Sequence, residues 1–304
     1  MAVPNEFSWS PTRDEIFRDC LRKYYFHYYG AWGGWDPAAA PRTRQLYVLR
    51  NLQTRARWSG DHAHRAIRAV LQTLRGGGAV PAAEAAAQQM RAAMRLEFRD
   101  SRQRRYQQQP GKIRGLFEHE YELNVADEQW KQAADHADQC LRTFLASDIF
   151  QNIRALPSEA WLELEERARF TLSGVKVYVP LDFAHRAGAD IALYDWQTGR
   201  VNTASNDLQL AGDILYAIAQ WQVAPEQVAA VEFNLATDAA TPRRWDAAGL
   251  EEMKDYLRDS ADEMSFLLED PAANQPQPEA AFEFAENEAV CRRCNFLKAC
   301  PRWA

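Results

Sequence analysis

Four cysteines divided between the two ends of this chain constrain its fold more than any other feature. Cys20 lies near the start, and Cys291, Cys294 and Cys300 form a C-x2-C-x5-C run close to the end. A lone pair of thiols says little, but four thiolates complete a tetrahedral zinc site or a cubane iron–sulfur cluster. Either use requires the two ends of the chain to meet. Closing a loop of about 270 residues costs chain entropy that grows only slowly with length, so a metal staple ties a large domain shut at little extra cost per residue. The plain alternative is five scattered free thiols. Cys140 lies outside the pattern, on the helical stretch Trp130 to Leu145, and reads as a small buried hydrophobe.

The rest of the composition sets broad limits. A chain of 304 residues with 47% apolar content can bury a substantial core, as one large domain or two closely packed ones. No apolar run approaches the roughly 18 residues of a membrane span, and Met1 to Glu6 lacks the regions of a signal peptide, so a cytoplasmic location without membrane contact is expected. An odd cysteine count argues against a disulfide framework and for reduced thiols that hold a metal.

The net charge of −6 conceals a division along the chain. Residues 1–120 carry 20 Arg/Lys against 11 Asp/Glu, leaving 16 against 31 for the remainder. The basic half is suited to face phosphate. Its densest run is Arg95, Arg99, Arg102, Arg104, Arg105, Lys112 and Arg114, with Arg102, Arg104 and Arg105 the candidate phosphate contacts; the alternative is a solvated helical face.

Periodicity predicts a mainly helical first half followed by a mixed core. Helical spacing covers roughly Pro11 to Tyr29, Arg44 to Leu74, Ala82 to Tyr106 and Glu128 to Leu145, interrupted by Gly33-Gly34 and Gly76-Gly77-Gly78. Strand signals run from Trp161 to Phe170, Val175 to Asp182 and Ile191 to Trp196, ending in the turn Thr198-Gly199. A helix from Asp207 to Trp221, a strand near Val228 to Leu235 and a helix from Ala247 to Leu268 follow. Asp270 to Pro278 is Pro-rich and reads as a linker that carries the cysteine tail back to Cys20. The expected division is a helical region over 1–155, a core over 156–269 and a linker with the cysteine segment over 270–304, packed as one compact unit. There is no internal repeat.

Two separate stretches carry a family resemblance. Ser8-Trp9-Ser10 followed by Cys20-Leu21-Arg22-Lys23-Tyr24-Tyr25-Phe26, together with Cys291-x2-Cys294-x5-Cys300-Pro301, resembles the S-x-S, C-x-R-K-Y-Y-F and closing C-x2-C-x5-C-P segments of the RecB/AddB-type iron–sulfur nucleases of the PD-(D/E)XK superfamily. Independently, Gly174 to Asp182 followed by Ile191-Ala192-Leu193-Tyr194-Asp195-Trp196-Gln197-Thr198-Gly199 is similar to that family's G-x7-D … (I/V)-x-D-x-K-T-G. The resemblance implies an α/β fold with a restriction-endonuclease-like core. A mixed sheet would be flanked by helices, with a largely helical N-terminal half and a 4Fe-4S clasp joining the termini through Cys20, Cys291, Cys294 and Cys300.

The same resemblance assigns roles at the core. Two carboxylates at strand ends suit Mg²⁺ or Mn²⁺, because hard cations take oxygen ligands and leave room for water and a phosphate. Asp182, Asp195 and the Trp196 carbonyl would hold the ions, and period-two alternation puts Asp195 and Gln197 on one face. Gly60-x3-His64 is similar to the family's G-x-x-x-H and makes His64 a further ligand, with His62 facing elsewhere. Gln209 and Tyr216 share a helix face and are assigned to DNA contact, although only Gln209 matches the family's Q-x-x-x-Y, since Asp213 stands where its tyrosine would be. Gln197 replaces the family's lysine. An amide can position water but supplies no charge, and Lys176, about 20 Å along an extended strand from Asp182, cannot substitute.

The implied function is metal-dependent hydrolysis of DNA, as an exonuclease or flap-type enzyme acting on single strands or ends in DNA repair, CRISPR adaptation or antiviral defence. The alternative is a catalytically silent DNA-binding or scaffold subunit of a nuclease or helicase-nuclease assembly. The chain lacks GxxxxGK[ST], so ATPase, helicase or integrase functions would come from a protein partner. A zinc-stapled protein unconnected with nucleic acid requires the strand match to be accidental.

Overall fold

The computed structural model describes residues 4–164, 167–199 and 203–303. Strands β1 (Trp161–Leu164), β2 (Arg167–Leu172), β3 (Val175–Pro180), β4 (Phe183–Ala187), β5 (Asp190–Gln197), β6 (Val228–Asn234) and β7 (Ala239–Arg243) supply the core. Five of them form a mixed sheet in the order β1-β4-β5-β6-β7, in which β5 and β6 are parallel and the other neighbours antiparallel. Strands β2 and β3 pair separately as a hairpin, closed by Ser173 and Gly174 at positive φ. Two such residues in succession match the right-handed twist of the flanking strands.

The strand alternation expected of β5 sets the layers. Ile191 and Leu193 pack on one side with Leu210 and Ile214 of helix α5, while Trp196 packs on the other with Phe144 and Leu141 of α4. Helices are α1 (Pro11–Asp19), α2 (Arg55–Arg75), α3 (Ala83–Arg102), α4 (Asp127–Ala146), α5 (Thr203–Trp221) and α6 (Ala247–Ser265). The sheet is therefore covered on both faces, an α/β arrangement in which a parallel pair stays buried. Cys140 is fully buried between these layers, and burial pushes its thiol up to about 11.

Several expectations are corrected in detail. The helix expected from Pro11 to Tyr29 breaks at Cys20, whose backbone is extended and whose Sγ accepts the Lys23 N–H at 3.5 Å, capping a short helix from Leu21 to Tyr25. The helix expected from Arg44 to Leu74 is two, Pro41–Arg50 and α2, because Thr54 caps the second. The strand from Trp161 to Phe170 divides into β1 and β2, with Glu165 and Glu166 outside the described residues. The strand β4, unmarked by alternation, intervenes between Asp182 and β5, so the two aspartates do not belong to a simple hairpin of the flanking strands. Strand β7 was not legible either.

The Pro-rich stretch after α6 is a fastened strap. Leu268–Asp270 pairs with Gln275–Pro276, and buried Asn274, at φ 49°, donates to the Asn5 carbonyl at 3.1 Å. Beyond it, Arg22 donates to the Phe282 carbonyl at 2.8 Å and Phe26 meets Phe296 at 5.4 Å between ring centroids. The two ends of the chain lie together.

The N-terminal segment is fixed by main chain and side chain alike. Trp9 extends the β2–β3 hairpin, donating to the Lys176 carbonyl and accepting from the Tyr178 N–H. Its indole donates to Ser260 Oγ at 2.9 Å, which donates to Asp14 at 2.5 Å; Tyr256 donates to the other Asp14 oxygen at 2.7 Å. Ser260 is fully buried. Ser260→Ala would strand both a buried indole N–H and a carboxylate oxygen, so unfolding free energy should fall by about 1–3 kcal/mol. Urea denaturation checks this, and an unchanged midpoint would refute the network's role.

Candidate active site

Asp182 stands where the chain leaves β3 and enters β4, and Asp195 lies near the end of β5. Asp182 Oδ2 accepts the Trp196 N–H at 2.7 Å, while Oδ1 faces His64 Nδ1 of α2 at 3.2 Å. Both oxygens of Asp195 are held by amides. Gln209 of α5 donates to Oδ1 at 2.6 Å, and Gln197 Nε2 donates to Oδ2. Asp182 and Asp195 are both buried.

Three residues that sequence reasoning missed complete this cluster. Gln197 Nε2 also donates to Asn206 Oδ1 at 3.0 Å, and Asn206 in turn donates to Glu232. Glu232 is the register partner of Asp195 on the parallel strand β6. Asp213, one turn beyond Gln209, is 1% exposed, and its Oδ1 has no hydrogen-bond partner among the described residues. An acid inside the apolar run of β6 and an acid at the fourth position after Gln209 were the available signals.

Burial of like charges has an electrostatic consequence. Burial first, and then the Asp182 carboxylate with a smaller push from Glu232, raises Asp195 to about 7, against the hydrogen bond from Gln197 and the pull of His64. Burial followed by Asp195 and Asp182 raises Asp213 well above the carboxylate range. Nearby carboxylates that cannot all ionise in a dry site call for a cation.

The supporting geometry comes from the helices. A Cβ on Gly60 would lie 2.5 Å from Thr198 Oγ1, so glycine lets α2 approach the turn after β5, and His136 meets the Thr198 carbonyl at 2.5 Å. His62 faces away, paired to Glu97 at 2.9 Å. Burial alone would raise Glu97, but hydrogen bonds from His62 and Arg65 overcome it and hold the carboxyl at about 2. The Trp196 side chain packs against Phe144 and Tyr194, leaving its backbone beside the acids.

Other predicted site residues lie elsewhere. Tyr216 is buried and donates to Glu163 of β1 at 2.8 Å, while Gln209 alone of that pair reaches Asp195. Arg104 pairs with Glu122 at 2.5 Å and Arg105 with Asp100 at 3.0 Å, so part of the basic run is neutralised within the fold; Arg102 is exposed. Lys176 pairs with Glu6.

Cys20, Cys291, Cys294 and Cys300 line one small cavity together with Phe26, Phe296 and Arg302, and none forms a disulfide. Phe296 N–H points at Cys294 Sγ at 3.5 Å. Burial, with Cys20 and Cys300 adding, pushes Cys294 up to about 11, and Cys300 is raised by burial and by Cys20 and Cys291. Among the described residues no group of three or more His, Cys, Asp or Glu is drawn together tightly enough to hold a metal ion as it stands. The donor chemistry suits one at both places nonetheless: oxygen and imidazole around an under-satisfied acidic cluster, and four thiols that repel one another as thiolates. Among the described residues no helix is long and apolar enough to cross a membrane.

A family model described as the PD-(D/E)XK nuclease superfamily matches residues 8–301. No curated protein matches the chain.

The raised Asp195 gives a signed pH dependence. An unfolded Asp titrates near about 3.9, so between there and about 7 the folded state holds a proton that the unfolded chain has lost. The stability this confers is complete below about pH 4 and is lost as pH rises through 7. Urea denaturation without divalent metal should show that loss between about pH 4 and 7, and Asp195→Asn should show a shallower one, since buried Asp213 is raised as well. Identical pH profiles for the two proteins would refute the assignment.

Proposed function

Because the chain belongs to the PD-(D/E)XK nuclease superfamily, we propose that it is a metal-dependent deoxyribonuclease acting on single strands or ends, with a 4Fe-4S clasp formed by Cys20, Cys291, Cys294 and Cys300. The observation that carries this reading is the juxtaposition of buried Asp182 and Asp195 with His64 on Asp182. Nucleases of this superfamily usually use Mg²⁺ or Mn²⁺. His64, Asp182, Asp195 and the Trp196 carbonyl would hold the ion, which when bound lowers the pKa of the attacking water and polarises the phosphate.

The chain's own groups then orient the reactants. The Trp196 N–H and the Gln209 amide fix the two carboxylates, so that neither turns away when its charge is compensated. Gln197 spends both of its N–H bonds on Asp195 and Asn206. Its Oε1 is left to accept a hydrogen from the attacking water and so to aim the oxygen at phosphorus. It provides no positive charge for the developing phosphorane, and loss of one such electrostatic donor costs about 10²–10³ in rate. Slow turnover is the expected result.

Support for the clasp comes from the shared cavity, the N–H groups of Lys23 and Phe296 directed at sulfur, and the packing of both chain ends around it. Hydrogen bonds to sulfur favour the thiolate form that iron requires. The context is DNA repair, CRISPR adaptation or antiviral defence, with any ATPase, helicase or integrase step contributed by a partner. One observation favours a second reading. The Gln197 amide is tied to its neighbours and uncharged, as befits a silent DNA-binding subunit of a larger assembly.

Cleavage of labelled single-stranded DNA with Mn²⁺ separates the two readings. Asp182→Ala and Asp195→Ala should each abolish cleavage while DNA binding persists, Gln197→Ala should slow it, and Gln197→Lys should keep or raise it. Inertness of the wild type and of Gln197→Lys in every divalent metal would remove the enzyme reading.

The clasp makes a separate prediction. Anaerobically purified protein should be brown, with absorption near about 400 nm and close to four irons per chain. Each of Cys20→Ala, Cys291→Ala, Cys294→Ala and Cys300→Ala should bleach it, and Cys140→Ala should not. Colourless protein with stoichiometric zinc would overturn the iron assignment.

A further inference from the structure

A second cavity, of about 660 Å³, opens beside β3 and is lined by Ser10, Arg13, His27, Tyr28, Trp32 and Arg50 among others. This volume falls within the range of small-ligand pockets. Pro180, on its wall, precedes Asp182 by two residues, roughly 7 Å of extended chain.

The cavity concentrates positive charge in a protein whose net charge is negative. Arg13 is 3% exposed, and among the described residues no carboxylate lies within ion-pair distance of it. Its Nε and Nη2 donate to the hydroxyls of Tyr24 and Tyr29 at 2.8–3.0 Å, and its guanidinium lies 4.3 Å from the Tyr28 ring centroid. An arginine buried without a counter-ion is costly unless a ligand supplies one. Around His27 the field has the same sign: burial first, and then Arg50, Lys23, Arg57 and Arg13, depress the imidazole well below its ordinary range. Among the described residues that line the cavity the carboxylate is Glu6, and it is engaged by Lys176.

We propose that this cavity is an anion-and-base subsite, which takes a phosphate of a single DNA strand against Arg13 and Arg50 and its adjoining base against Tyr28 and Trp32. A cationic groove with aromatic faces is the general means of holding single-stranded nucleic acid without reading its sequence. The inference rests on the nuclease reading for its choice of DNA. Tyr24 and Tyr29, by contrast, are buried behind Arg13 and serve to aim it.

The test uses full-length protein and a fluorescent oligothymidylate, with binding measured by anisotropy across a salt series. Arg50→Ala and Trp32→Ala lie at the cavity wall and should fold, as thermal melting will show; Arg75→Ala, at the far end of α2, is the charge-matched control. Each wall variant should lose about tenfold in affinity, and Arg50→Ala should also reduce the salt slope by about one. Trp32→Ala should leave the slope unchanged. Affinity and slope unchanged in both folded wall variants would overturn the subsite, as would equal loss in Arg75→Ala or displacement by inorganic phosphate at matched phosphate concentration. Should a wall variant melt early, Arg50→Lys and Trp32→Phe replace it, with a smaller loss expected in each and no loss overturning the proposal. Cleavage is read separately: a wild type that binds through Arg50, when neither it nor Gln197→Lys ever cuts, preserves the subsite and defeats the nuclease reading.

Discussion

Mutual repulsion between carboxylates that the sheet forces together is the constraint on which this structure turns. Asp182, Asp195 and Asp213 are all at least nine-tenths buried, and Asp195 and Asp213 are raised because their neighbours are acidic as well as because they are dry. Such a group survives in a fold only if the surroundings leave it no escape. The parallel pairing of β5 with β6, the N–H of Trp196 and the amides of Gln197 and Gln209 supply that confinement. The cost is local: Asp195 and Asp213 hold their protons more tightly than free carboxyls do.

What the sequence made legible follows from what was local. Asp195 and Gln197 share a face because alternation along a single strand requires it, and His64 was separable from His62 by helical spacing alone. Glu97 shows why His62 is spoken for, yet it lies 35 residues away, beyond any spacing argument. The same limit concealed Asn206 and Glu232, whose roles exist only through pairing of α5 and β6 with β5. β4 was missed for a different reason. Its side chains are buried at Phe183, Ala184 and His185 in succession, so no alternation betrays it.

Gln197 acquires a meaning that substitution tables do not give. A lysine at that point would neutralise part of the acidic cluster in the resting protein, whereas the amide only bridges it to Asn206 and, through Asn206, to Glu232. The chain Asp195–Gln197–Asn206–Glu232 thus keeps its acids apart by hydrogen bonding instead of by charge. A neutral bridge adds no positive charge, so the repulsion among the buried acids that an ammonium would offset stays in the resting site.

The fastening of residues 5–29 to residues 256–296 bears on how the protein is made. Trp9 needs Ser260, Arg22 needs Phe282, Tyr29 meets Asn274 and Phe26 packs on Phe296, so the first helices described have no finished surroundings until a segment some 245–270 residues further along the chain has joined them. Contacts of such sequence separation form slowly. Until residues 256–296 are in place, this segment, rich in tyrosine and phenylalanine, lacks the partners that cover it in the fold, and such exposed apolar surface is open to misassembly.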